Sequence, residues 1–145
     1  MWRRLNNFWT SLWTYLELRP DIGARYRINQ ALRDRPSHLW PEWYRRFWEP
    51  EGVAREVAEF VYRSVARHSG LKVEKVVPSD RLNEDLKLPL ICWFDWEMSF
   101  YEDFSRQLGV EMDADDWLMS DFYTVADLMA FLNQQFRKKS GRLSI

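Results

Sequence analysis

Cysteine is nearly missing from this 145-residue chain, and histidine is scarcely better represented. The single Cys92 excludes an intramolecular disulfide, and with His38 and His68 as the only histidines no Cys/His zinc spacing exists. Five glycines and six prolines leave little room for linkers or low-complexity sequence, and they exclude a collagen-like or repeat architecture. The N-terminus has only a short uncharged stretch. Arg3 and Arg4 precede Leu5 to Leu16 as in a targeting signal, but these twelve residues include Asn6, Asn7, Thr10, Ser11 and Thr14. A spanning helix needs roughly 18 to 20 apolar residues, and no small-residue cleavage site follows. The expectation is a cytoplasmic protein.

What is present is aromatic surface. Aromatic residues make up 17% of the chain, with nine tryptophans concentrated toward the first fifty residues. Hydrophobic residues at 46% and charged residues at 30% are globular values that exclude wholesale disorder. A chain of this size buries roughly 69% of its unfolded surface, enough for one domain with its own core. Net charge is only -1, but its distribution is lopsided. Residues 1–70 hold 12 arginines against 8 carboxylates, whereas residues 71–145 hold 9 basic residues against 14 carboxylates. Between Asp95 and Asp127 ten carboxylates face a single basic residue, Arg106. Such a segment repels nucleic acid and attracts basic protein surfaces, although a solvated helical face alone is also often acidic.

Apolar periodicity of three and four predicts an all-α chain. Trp2, Leu5, Trp9, Leu12, Trp13 and Leu16 share one stripe, which Pro20 ends. A second helix is expected from Asp21 to Arg35, with Ile22, Tyr26 and Leu32 apolar and Asp21 as N-cap. Trp40, Tyr44, Phe47 and Trp48 suggest a short element after Pro41. Glu51 to His68 carries Val53, Val57, Phe60, Val61 and Val65 inward, stopped by Ser69 and Gly70. An irregular connection follows from Leu71 to Asp85, anchored by Val73, Val76, Val77 and Leu82, with turn chemistry at Pro78, Ser79 and Asp80. Trp93, Trp96, Phe100, Phe104 and Leu108 form another stripe, with Asp95, Ser99, Glu102, Asp103 and Arg106 assigned to the opposite face and Gly109 ending the helix. A short turn is expected at 113–117. Thr124 is the N-cap candidate for a last helix carrying Val125, Leu128, Met129, Leu132 and Phe136 inward, with Arg137, Lys138 and Lys139 placed at its negative end. Three regions result: a Trp-rich helical extension over 1–50, a helical domain over 51–138 and a frayed tail over 139–145.

Residues 51 to about 136 resemble an acyl carrier protein in the order of their elements. VVPSDRLNEDL resembles that family's loop into its second helix, RQLGVEM the end of that helix and the turn after it, and TVADLMAFL the start of the fourth. The resemblance implies an acyl-carrier-like helical bundle, here with the Trp-rich extension added. It also exposes a departure: Glu84-Asp85-Leu86 is followed by KLPLICWFDWEMSF, with no serine from Lys87 to Met98 to carry a phosphopantetheine arm. Ser99 is the hydroxyl nearest that place, more than a turn beyond it. The chain is most similar to divergent bacterial members of unknown function that lack the arm. Without the arm no cofactor is implied. What the resemblance retains is an acidic second helix that docks onto basic partner surfaces, a role that carries over to Asp95, Glu102 and Asp103.

Other chemistry finds less support. Cys92 lies between Ile91 and Trp93, a setting for a buried, inert thiol rather than a nucleophile paired with His38 or His68. Asp113, Asp115 and Asp116 lack the glycine and closing glutamate of a calcium loop. Trp43, Tyr44, Arg45, Arg46, Phe47 and Trp48 could stack bases, but the acid balance favours packing, with arginines over aromatic rings. Trp2, Trp9 and Trp13, beside Arg3 and Arg4, could serve a partner's groove, a membrane surface or the chain's own core. The expectation is a non-enzymatic protein-interaction module that binds a basic protein surface through Asp95, Glu102 and Asp103, with Trp2, Trp9 and Trp13 as anchors. The alternatives are a carrier modified at Ser99 and a peripheral membrane protein held by its N-terminal helix. Neither metal nor nucleic acid is expected.

Overall fold

The computed structural model describes residues 19–112 and 121–143. Among them are six α-helices and one 3-10 turn, with no strand, so this part of the chain is all-α. The helices are α1 (Ile22–Leu32), α2 (Glu42–Phe47), α3 (Arg55–Ser69), α4 (Leu88–Ile91), α5 (Trp96–Leu108) and α6 (Val125–Leu143), and the 3-10 turn is Val73–Lys75. The stripe of Trp2, Trp9 and Trp13 lies outside the described residues, as do Asp113, Asp115 and Asp116.

Helix α3 is the axis of the fold, because apolar residues at steps of three and four give it one broad buried face. Val57, Ala58, Phe60, Val61, Ser64 and Val65 are all buried, and α2, α5, α6 and the 3-10 turn pack around it. It ends where expected, at Gly70 in the left-handed region with φ 70°. A Cβ there would stand 2.8 Å from Arg25 Cδ, so glycine serves both the turn and the close approach. Its start is less conventional. Ala54, the N-cap residue, offers no side-chain cap, and its N–H instead donates to Asn133 Oδ1 of α6 at 2.9 Å. Asn133 Nδ2 and Arg137 Nη2 both donate to the Gly52 carbonyl, at 3.3 and 2.6 Å.

Residues 19–50 contribute to the same core as the rest. Ala24, Ile28 and Leu32 of α1 are buried with Trp43 and Trp48, and the Trp43 indole donates to the Val76 carbonyl at 2.9 Å. Asp21 caps α1 as expected, its Oδ1 accepting from the Ala24 N–H at 2.9 Å. The apolar residues singled out in the sequence of α1 divide, with Leu32 buried. Ile22 and Tyr26 face out, because Asp21 N–H bonds the Leu90 carbonyl and Arg25 bonds the Ile91 carbonyl, fixing α1 against α4 with Ala24 and Ile28 inward.

The connection from Leu71 to Leu86 is held by its carboxylates. Asp80, 4% exposed, accepts from Arg35 Nη1 at 2.7 Å and from the Val77 N–H at 2.9 Å. Arg81 and Asp85 form a bidentate pair, with both contacts at 3.0 Å, which holds the Asp85 carboxyl below its ordinary value. Leu82 N–H then reaches the Tyr123 carbonyl at 3.0 Å, tying this loop to the start of α6. That start is a reciprocal cap: Thr124 Oγ1 accepts from the Asp127 N–H at 3.2 Å, and Asp127 Oδ2 accepts from the Thr124 N–H at 3.0 Å. Helix α6 runs on to Leu143, through most of the segment expected to fray. Arg137 and Lys139 bond carbonyls of Gly52 and Leu108 instead of completing the helix's own last turn.

Candidate interaction face

Helix α5 was expected to begin its inward stripe at Trp93, but the chain makes an additional short helix first. Leu88 and Ile91 of α4 are fully buried, Lys87 before them takes a left-handed turn at φ 51°, and α5 starts only at Trp96. Trp93 therefore precedes the helix and is 45% exposed. Inside α5, Trp96, Phe100 and Phe104 pack toward α3, where Phe60 meets Phe100 and Phe104 with ring centroids at 5.1 and 5.3 Å. Burying each such ring contributes roughly 1.5–3 kcal/mol.

The three carboxylates expected to share the docking face do not share it. Asp95 and Glu102 are exposed. Asp103 is buried, with its side chain 12% exposed, and corrects the expectation. It lies seven residues after Trp96, close to two full turns of 3.6, and so projects from the inward arc above Trp96 and Phe100. There it receives Arg67 from α3 and Arg106 Nη2 at 2.6 Å, with His68 Nε2 at 4.0 Å. Its charge is satisfied within the fold and is not offered to a partner. Burial, followed by the nearby Arg67, lowers the His68 pKa, against the opposing pull of Asp103 and Asp95.

Two side chains that the sequence reading left unassigned take Asp103's place on the outer edge. Phe94 is 67% exposed in the turn before α5 and Met98 is 60% exposed within the helix, and Asp95, at the N-cap, and Glu102 are exposed as well. Within α5 the signal was available in the period, since Met98 and Glu102 lie four residues apart, whereas Phe94 and Asp95 precede the helix. Beside this edge lies a groove of about 380 Å3 bordered by Met98, Tyr101, Glu102, Ser105, Arg106 and Met112. Helix α5 ends at Gly109, at φ 65°, where Ser105 Oγ donates to the Val110 carbonyl at 2.5 Å.

Ser99 is half-buried in the first turns of α5, its N–H donating to the Asp95 carbonyl at 3.2 Å. Burial pushes the Cys92 thiol up to about 12, which leaves it protonated and unreactive near neutrality. Among the described residues no three His, Cys, Asp or Glu side chains converge as metal ligands. The void at the centre of the core, between Trp43, Val65, Val76, Leu86 and Leu128, measures about 10 Å3, no more than one water occupies. Trp43 and Trp48 are buried, so neither indole presents a face for base stacking, and Arg55 lies over Trp40 at 5.5 Å. Among the described residues no helix is long and apolar enough to cross a membrane. No family model, curated protein or solved structure matches this chain.

Proposed function

We propose that this chain is a non-enzymatic protein-interaction module with an acyl-carrier-like bundle and no prosthetic arm, binding a partner that presents basic and apolar side chains together. The observation that carries the proposal is the outer edge of α5 with the turn that leads into it, where Phe94 and Met98 are exposed together with Asp95 and Glu102. Apolar groups on such an edge supply desolvated contact area, and the flanking carboxylates steer a basic partner into register. The adjoining groove, lined in part by Met98 and Met112, gives a partner side chain somewhere to insert. The resemblance of VVPSDRLNEDL, RQLGVEM and TVADLMAFL supports the bundle. The missing serine between Lys87 and Met98 supports loss of the carrier chemistry.

The test is affinity capture of the tagged full chain from its native cells at low and high salt, run in parallel with Asp95→Lys/Glu102→Lys and Phe94→Ser. A partner retained at low salt, released at high salt and lost from both variants is the expected result. A partner that binds both variants as well as the parent places the site elsewhere and overturns the proposal.

A further inference from the structure

A surface that fits the edge of α5 joins basic to apolar side chains, and the chain presents one itself. Ile22 and Tyr26, one turn apart on α1, are 68% and 64% exposed, nearly the values of Phe94 and Met98. Arg33, at the C-cap of α1, keeps helical backbone angles and stands seven residues after Tyr26, hence on the same side. It is exposed, as are Arg19, just before the helix, and Lys72, whose N–H donates to Asn29 Oδ1 of α1 at 3.1 Å. Among the described residues no carboxylate forms an ion pair with Arg19 or Arg33. The carboxylates alongside are Asp21, occupied in capping Ala24, and Asp34, beyond the end of the helix.

The basic and the acidic surfaces meet at α4. The Asp21 N–H donates to the Leu90 carbonyl at 3.0 Å and Arg25 Nη2 to the Ile91 carbonyl at 2.8 Å, which fixes the first turn of α1 beside α4. Leu90 is itself exposed, and Phe94 follows it by four residues, a reach of no more than about 14 Å. The two surfaces carry apolar side chains of similar exposure and free charges of opposite sign. The whole chain repeats this polarity, with arginine in excess over residues 1–70 and carboxylates in excess over residues 71–145. A net charge of -1 sets up little long-range repulsion between copies, and a second copy turned end for end matches base to acid twice.

We propose, resting on the reading of α5 given above, that its partner is a second copy of this chain, related by a two-fold axis near Leu90. Ile22 and Tyr26 of each copy then cover Phe94 and Met98 of the other, with Arg19 and Arg33 opposite Asp95 and Glu102. A two-fold interface is self-complementary, so each of these contacts forms twice. The apolar pairs supply desolvated area, and the charges set the direction, because a parallel arrangement would place arginine against arginine.

Analytical ultracentrifugation of the full chain tests this directly. The parent is expected to pass from monomer to dimer with rising concentration and to dissociate more readily at high salt. Arg19→Glu/Arg33→Glu gives a copy with carboxylates on both surfaces, and Asp95→Lys/Glu102→Lys one with bases on both. Each alone should dimerise about tenfold or more weakly, and an equimolar mixture should recover the dimer, because every facing pair again has opposite signs. Recovery also shows that both variants are folded. If either is not, Tyr26→Ser and Phe94→Ser decide, each expected to weaken the parent dimer about tenfold. A parent that stays monomeric into the submillimolar range overturns the proposal, as does a dimer indifferent to both charge variants. A mixture that grows beyond the dimer is an open head-to-tail chain and overturns the two-fold arrangement. A monomeric parent that captures a different protein, lost from Asp95→Lys/Glu102→Lys, overturns the dimer and leaves the reading of α5 standing. If neither a dimer nor any captured protein responds to that variant, both fall.

Discussion

The two sides of α5 use the same residue types for opposite ends. Toward α3, Phe100 and Phe104 are completely buried and Asp103 is enclosed by arginines; on the outer edge, Met98 is exposed, as is Phe94 in the turn before the helix, and Glu102 stands in solvent. Asp103 and Glu102 are adjacent in sequence and a hundred degrees apart around the helix. An acid count therefore measures no surface charge, and an aromatic count measures no core, until each residue has been placed on the helical wheel.

The contrast can be broken most forcefully with aromatic truncation. Phe100→Ala should cost about 3–5 kcal/mol in a denaturant titration, while Met98→Ala, two residues away, should stay within about 0.5 kcal/mol. Equal losses would mean that the helix is rotated from the orientation described. The carboxylates give a smaller, crossed pair of effects. Asp103→Ala should lower stability by about 1–2 kcal/mol and leave partner binding intact. Glu102→Ala should do the reverse, with little change in melting temperature and a weakened partner signal.

Acid sharpens the same comparison through His68. Its folded pKa is depressed from 6.5, mainly by burial, so the folded state binds its proton less readily than the unfolded state does. The stability it contributes is complete above 6.5 and declines as pH falls below that value. His68→Gln should flatten that part of the stability–pH curve relative to the parent, as measured by melting temperature across the interval. The smallest effect belongs to Asp95→Lys/Glu102→Lys, which should leave stability within about 0.5 kcal/mol because neither carboxylate has a role in the core. A large loss of stability there would show that the outer edge has a structural duty after all.

Much of the framework was legible in the chain. Gly70 and Gly109 ended helices, Asp21 and Thr124 began them, and the stripes of α3 and α6 went inward as their period required. These signals are local, so a sequence displays them. The rotation of α1 was not legible, because it depends on Asp21 and Arg25 meeting carbonyls of Leu90 and Ile91, some 66 to 69 residues away. Nor was Trp43's burial, which follows from its indole finding the Val76 carbonyl. Helix α4 is only four residues long, too brief for any period to show. Asp103 is a different case: its inward position was written in its seven-residue distance from Trp96, and charge alone had suggested otherwise.

The cap on α3 has a consequence for how the molecule assembles. The first turn of the central helix is completed by Asn133, which lies 79 residues later in the chain. A fragment ending before α6 would keep every apolar residue of α3 yet leave its leading N–H without that acceptor, and the helix would fray from its start. A helix far along the chain thus finishes the first turn of the helix around which the others pack. Closure of this long loop makes folding slower than that of a bundle built from neighbouring contacts, and makes loss of α6 a failure of the whole rather than of one end.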